Sequence, residues 1–321
     1  MRDFYISEDK YTDSMRDTVM PYLADRRTEF YIEGYDGNKL HVMFYSADSP
    51  KKTVVISHGF TESSEKFHEL TYYLLRDGYN VYAPDQRGHG LSYRKLSDNT
   101  LTYIDDFDEY EKDFEIHAAK AKELGNLPLL LYAHSMGGAV AMLTLIKCPD
   151  LFEAAFLSSP MIVPASGNIP MWVGKAVAGA AVLFGMKEKR AFISPPYSGH
   201  EEFENSCKTC KVRFDEYEKI KSSTPCYQNA CTTYGWIYRS LKVGPEILKK
   251  GVPEKVKTPI FLAIAGKDTV VLAEPQKELA GRLPNCTLKI YPESKHEIYG
   301  CTDDVLFGYY DDLLGFYEGI G

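Results

Sequence analysis

A serine, an aspartate and a histidine, far apart in the chain, stand where nucleophilic catalysis would need them. Ser135 lies in Ala133-His134-Ser135-Met136-Gly137, after the apolar run LPLLLY and before the helix-forming series GAVAMLTLIK. A serine at such a strand-to-helix junction occupies a sharp, strained turn that crowds the side chains two residues before and two after it. Ala133 and Gly137 are small enough for those places, and Gly138 leaves room for close helix packing. Serine also caps helices, but a strand directly before it and a helix directly after favour the nucleophile.

A serine hydroxyl attacks only when a base takes its proton and an acid orients that base. His296 follows the strand-like CTLKIYP in the loop ESKHEI, and Asp268 follows the strand-like PIFLAIAG in Gly266-Lys267-Asp268. The chain order serine, acid, histidine is the one that a sheet carrying its nucleophile on this kind of elbow uses. Charge developing on a carbonyl oxygen needs two preorganised donors. Met136 N–H is one candidate; Phe60 N–H, in the loop His58-Gly59-Phe60 after TVVIS, is the other.

These residues need a sheet with helices on both faces. TEFYIEG and LHVMFYSA, joined by Tyr35-Asp36-Gly37-Asn38, read as a hairpin. TVVIS (53–57), NVYAP (80–84), PLLLYA (128–133), EAAFLSSP (153–160), PIFLAIAG (259–266) and CTLKIYP (286–292) read as strands separated by helical patterns, so the sheet is expected to be mostly parallel. Ile104, Phe107, Tyr110, Phe114, Ala118 and Ala121 recur at helical spacing, and a last helix is expected around Val305 to Tyr317.

The alternation pauses between 161 and 245, which predicts a mainly helical cap inserted between two parts of one core, 1–160 and 246–321. Within it, Ile169 to Met186 carries more apolar surface than one helix stripe consumes, and Trp172, Val177 and Leu183 are candidate substrate-pocket residues. Such a surface also suits peripheral contact with a membrane or micelle.

A net charge of −8 provides no electrostatic footprint for nucleic acid. The start, MRDFYISEDKYTDSMRD, lacks a signal-peptide pattern, and the longest apolar stretch, Ala176 to Met186, is too short to span a bilayer, so a cytoplasmic protein is expected. Cys207, Cys210, Cys226 and Cys231 have a CxxC start, but the second pair is widely spaced; small buried apolar residues, rather than metal ligands or disulfides, are expected.

SHGFTESSEKF (57–67), YAPDQRGHGLS (82–92), AHSMGG (133–138), AIAGKDTVV (263–271) and KHEIYG (295–300) together resemble the monoacylglycerol lipase and lysophospholipase L2 branch of the α/β hydrolases, often grouped with serine aminopeptidases. The resemblance runs from about Thr28 to the end. It implies the α/β-hydrolase fold, a Ser135, Asp268, His296 triad with Phe60 and Met136 as oxyanion donors, no metal or cofactor, and a small lipid-like monoacyl ester as substrate. Asp85 and Arg87 read as loop-holding charges. A general carboxylesterase or a peptidase is the alternative within enzymes, and a non-catalytic binding protein the alternative outside them, because one fold hosts many functions.

Overall fold

The computed structural model describes residues 2–167 and 169–320. Short helical turns open the chain, among them α1 (Tyr11–Ser14) and α2 (Met20–Ala24). The hairpin follows as β1 (Arg27–Glu33) and β2 (Lys39–Tyr45), antiparallel with Arg27 opposite Tyr45 and Glu33 opposite Lys39. Then come β3 (Lys52–Ser57), α3 (His68–Arg76), β4 (Tyr79–Pro84), the two-residue β5 (Leu101–Thr102), α4 (Asp108–Gly125), β6 (Leu129–His134), α5 (Met136–Lys147) and β7 (Ala154–Ser158). After β7 the chain forms α6 (Met171–Leu183), α7 (Lys211–Ser223), β8 (Cys231–Thr232) and α8 (Tyr234–Ile247). It ends with β9 (Ile260–Ala265), α9 (Ala273–Arg282), β10 (Cys286–Tyr291) and α10 (Asp303–Glu318).

Eight strands form one sheet in the order β1-β2-β4-β3-β6-β7-β9-β10. β2 is antiparallel to both β1 and β4, and every pairing from β4 to β10 is parallel. This is the α/β-hydrolase fold. Helices cover both faces, so a central strand must be apolar throughout. β6 shows it: Leu129, Leu131 and Ala133 enter one core, while Leu130 and Tyr132 enter the other. α4 turns Tyr110, Phe114, Ala118 and Ala121 to the sheet, and it ends at Asn126, whose left-handed conformation lets its N–H reach Lys122 O.

Among the described residues, the segment between β7 and β9 adds no strand to the main sheet; β8 pairs with β5 beside it. α8 packs on α6 and on α5, whereas α7 packs on α1. α8 runs to Ile247, two residues past the boundary expected at 245.

Candidate active site

Ser135 is the first residue after β6 and adopts φ 52°, ψ −119°. An L-residue held there costs on the order of 1–3 kcal/mol and persists only where its surroundings enforce it. They do so here through hydrogen bonds from Ser135 N–H to Ser158 O (3.1 Å), and from Gly138 N–H and Met161 N–H to Ser135 O (both 2.8 Å). The end of β7 thus clamps the turn. A side-chain carbon at Gly137 would lie 1.9 Å from Ser57 O, so this position has no room for any other residue. Ala133 is wholly buried in β6.

Asp268 occupies the turn after β9. Its Oδ1 accepts from Val270 N–H (2.8 Å) and Val271 N–H (3.0 Å), and its Oδ2 lies 2.7 Å from His296 Nδ1. Burial opposes the carboxylate charge, but the His296 bond and the two backbone donors outweigh it and hold Asp268 below the usual carboxylate range. An ionised Asp268 can only accept, so the proton belongs on His296 Nδ1 and Nε2 keeps its lone pair. His296 and Ser135 are both buried, and the ring of His134, beside Ser135 in the chain, lies 4.8 Å from that of His296. Among the described residues Ser135 Oγ and His296 form no hydrogen bond to each other; such bonds often tighten only around substrate.

The loop after β3 meets the elbow at Gly59, where a side-chain carbon would stand 3.0 Å from Ser135 Cβ. Among the described residues, the N–H groups of Phe60 and Met136 donate to no protein acceptor, as donors reserved for an oxyanion should. The Phe60 ring packs on Trp236 of α8 with centroids 4.2 Å apart.

Beneath this loop lies a charged network that motif reading did not pick out. Glu62 Oε2 accepts from Gly59 N–H (2.5 Å) and faces His134 Nδ1 (3.0 Å), while Oε1 takes the Tyr299 hydroxyl and lies 3.1 Å from Lys66 Nζ. Lys66 also reaches Glu297 at 2.7 Å. Burial opposes every charge here. The fields of His134 and Lys66 nevertheless drive Glu62 well below its ordinary value, and Glu62 raises His134. Glu62 fixes the His58–Gly59 peptide, one unit before the Phe60 amide, and His134 Nε2 lies 3.4 Å from His296 O, so one buried pair supports two sides of the site. The available signal was the charge spacing of Glu62 and Lys66 inside a segment that must run under the end of a buried sheet.

Of the three candidate pocket residues, Val177 lines a cavity of about 190 Å³ between α6, α8 and residues 191–193, with Val173, Ala178, Ile193 and Ile237. Trp172 and Leu183 do not line it; they are 75% and 82% exposed. The reason is packing. α6 turns its small face, Ala178 and Ala181, inward, and Gly179 lies so near the Tyr238 ring that a side-chain carbon would stand 3.1 Å away, which points the bulky residues outward. Cys210 and Cys231 are buried and donate to Glu8 Oε2 (3.3 Å) and Pro195 O (3.1 Å). Among the described residues no three His, Cys, Asp or Glu side chains are grouped to hold a metal ion.

The family model described as serine aminopeptidase, S33, matches residues 48–303, well over half of the chain. The chain belongs to this family. The S33 chain is 25% identical over 291 residues to a probable lysophospholipase L2 of Haemophilus influenzae, covering 89% of this chain and 90% of that protein. It is 32% identical over 135 residues to monoglyceride lipase of Homo sapiens, covering 41% and 43%. Among solved structures, a soluble variant of monoglyceride lipase from Saccharomyces cerevisiae superposes with a TM-score of 0.73 at 20% identity, covering 92% of this chain and 97% of that one. A carboxyl esterase of Bacillus coagulans superposes with 0.71 at 18%, covering 92% and 99%. These two speak for the shared fold. The S33 chain is a hydrolase.

In this S33 hydrolase the charges of the 82–92 motif hold its own loop against neighbouring segments. Asp85 Oδ1 accepts from Ser64 N–H and hydroxyl (2.7 and 2.8 Å), Oδ2 accepts from Leu91 N–H (2.9 Å), and Arg87 bridges Asp36 and Asp113. Among the described residues no helix is long and apolar enough to cross a membrane.

Proposed function

We propose that this S33 hydrolase cleaves carboxylic esters of single-chain lipids, monoacylglycerols or lysophospholipids, through an acyl enzyme on Ser135. The observation that carries the reading is the 2.7 Å Asp268–His296 couple beside a serine on a strained elbow. His296 Nε2 takes the Ser135 hydroxyl proton as Oγ attacks the ester carbonyl, and the resulting oxyanion is held by Phe60 and Met136 N–H. The imidazolium, stabilised by Asp268, then protonates the departing alcohol. Water, deprotonated by His296, attacks the acyl carbonyl and releases the acid with Ser135 restored. These steps call for no metal or cofactor.

The lipid class draws support from the relatives named lysophospholipase L2 and monoglyceride lipase. The insertion at 161–245 is proposed as a cap on the core formed by 1–160 and 246–321. Its exposed Trp172, Leu183, Phe184, Phe192 and Ile193 suit peripheral contact with a lipid surface. The test is a chain-length panel of monoacylglycerols, lysophospholipids and p-nitrophenyl esters on the wild type and Ser135→Ala. Turnover should fall by on the order of 10⁶ in the variant, and a fluorophosphonate should label Ser135. Near-wild-type turnover in Ser135→Ala would overturn the mechanism, and a preference for acetate or butyrate esters would overturn the lipid substrate.

A further inference from the structure

A second cavity, of about 320 Å³, lies between the N-terminal helical segment, the start of α3 and α7, and none of Ser135, Asp268 or His296 lines it. Its volume sits at the small end of the range of ligand pockets, roughly 300–1,000 Å³. Much of its wall is apolar, with Met15, Met20, Ile220 and the rings of Tyr11 and Tyr217.

The charges on that wall are mostly matched within the protein. Glu69 pairs with Arg213 (3.1 Å), Glu216 with Lys219 (2.6 Å) and Lys66 with Glu297 (2.7 Å), while Glu65 lies 3.4 Å from His68. Lys208 differs. It is buried, its Nζ donates to Arg213 O at 3.2 Å, and among the described residues it forms no ion pair. Nor can it swing out easily: its stem lies so close to Gly300 that a side-chain carbon there would be 2.6 Å from Lys208 Cγ. Burial pushes this ammonium down to about 8, although the more distant carboxylates of Glu297, Glu62 and Glu69 oppose that shift; none of them is close enough to form an ion pair with it.

We propose that this cavity binds an amphiphilic carboxylate, a medium-chain fatty acid anion, with its head on Lys208 Nζ and its chain against Met15, Met20 and Ile220. A carboxylate matches one unpaired ammonium. A phosphate dianion would need a second, and Lys66 is already committed to Glu62 and Glu297. The site stands independently of the ester-hydrolase reading.

The test is calorimetric titration of decanoate into the full-length protein after a long-chain fluorophosphonate has blocked Ser135. Labelling, read by mass spectrometry, reports on the hydrolase reading and decanoate binding on the cavity, so the two can fail separately. One decanoate per chain is expected, with binding tightening on the order of tenfold for each pair of methylenes from hexanoate to decanoate. Lys208→Met, which keeps the stem, should weaken decanoate roughly tenfold or more. Met20→Glu, at the apolar wall, should weaken it as well, so the result does not hang on one variant. No saturable binding, equal binding in both variants, or inorganic phosphate binding as tightly as decanoate would overturn the proposal.

Discussion

Asp268→Asn separates orientation of the base from support of the loop. Asp268 does two things with two oxygens: Oδ1 accepts from Val270 and Val271 N–H, and Oδ2 accepts from His296. Asparagine has one carbonyl oxygen and one NH₂ group. Two fixed backbone donors, at 2.8 and 3.0 Å, demand the oxygen on their side, which turns the NH₂ toward His296 Nδ1. To avoid two facing donors, His296 must move its proton to Nε2, the atom proposed to accept the serine proton. The favourable charge opposite the imidazolium is lost at the same time. Catalysis should fall about 10⁴-fold, equivalent to roughly 5.5 kcal/mol at about 1.36 kcal/mol per tenfold. Because the turn keeps both backbone bonds, the melting temperature should change little. Asp268→Ala should lose the turn's bonds as well and destabilise by about 1–2 kcal/mol, the scale of a lost cap. The assay is kcat and kcat/KM on one soluble ester, with thermal melting of each variant. A loss below tenfold in Asp268→Asn with an unchanged melt would refute the assignment of the acid.

Gly137→Ala should be destabilised by about 1–3 kcal/mol or more, because the new methyl meets the Ser57 carbonyl, and it should lose most turnover; an unchanged melt and kcat would contradict the elbow geometry. Val177→Asp should depress hydrolysis of long-chain esters far more than of butyrate esters, whereas Leu183→Asp, exposed and outside the cavity, should spare soluble esters and slow only those presented in vesicles. Equal losses at both chain lengths in a folded Val177→Asp would make that segment structural. His134 has a raised folded value, so its pairing with Glu62 stabilises fully below the unfolded value of about 6.5 and is lost as pH rises through the folded one. The melting temperature should therefore drop more between pH 7 and 9 in the wild type than in His134→Gln; parallel curves would count against the charged pair.

The positions of Ser135, Asp268 and His296, the proposed triad, just beyond strand ends were legible in the sequence because each belongs to a local pattern, a run of core apolar residues that stops and a turn that begins. A parallel sheet brings successive strand ends to one edge, so chain order alone brings the turn after β9 and the loop after β10 to the same side. The strand runs and the helical spacing of α4 were legible for the same reason, since burial on both faces or one imposes a period on the residues themselves. For Glu62 the sequence offered only its charge spacing with Lys66, and its role exists only because residues 58–66, His134 and Tyr299 converge from three separate segments. Lys208 gained its unpaired charge in the same way, from the closure of α7 and the 298–300 turn around it. Composition made Ile169 to Met186 apolar, but nearly all-round apolarity leaves a helix without a preferred face. That Ala178 and Ala181 are buried while Val177, Trp172 and Leu183 are exposed fell to the tertiary packing of the small residues against α8, because only contact with a second helix makes small residues worth burying ahead of large ones.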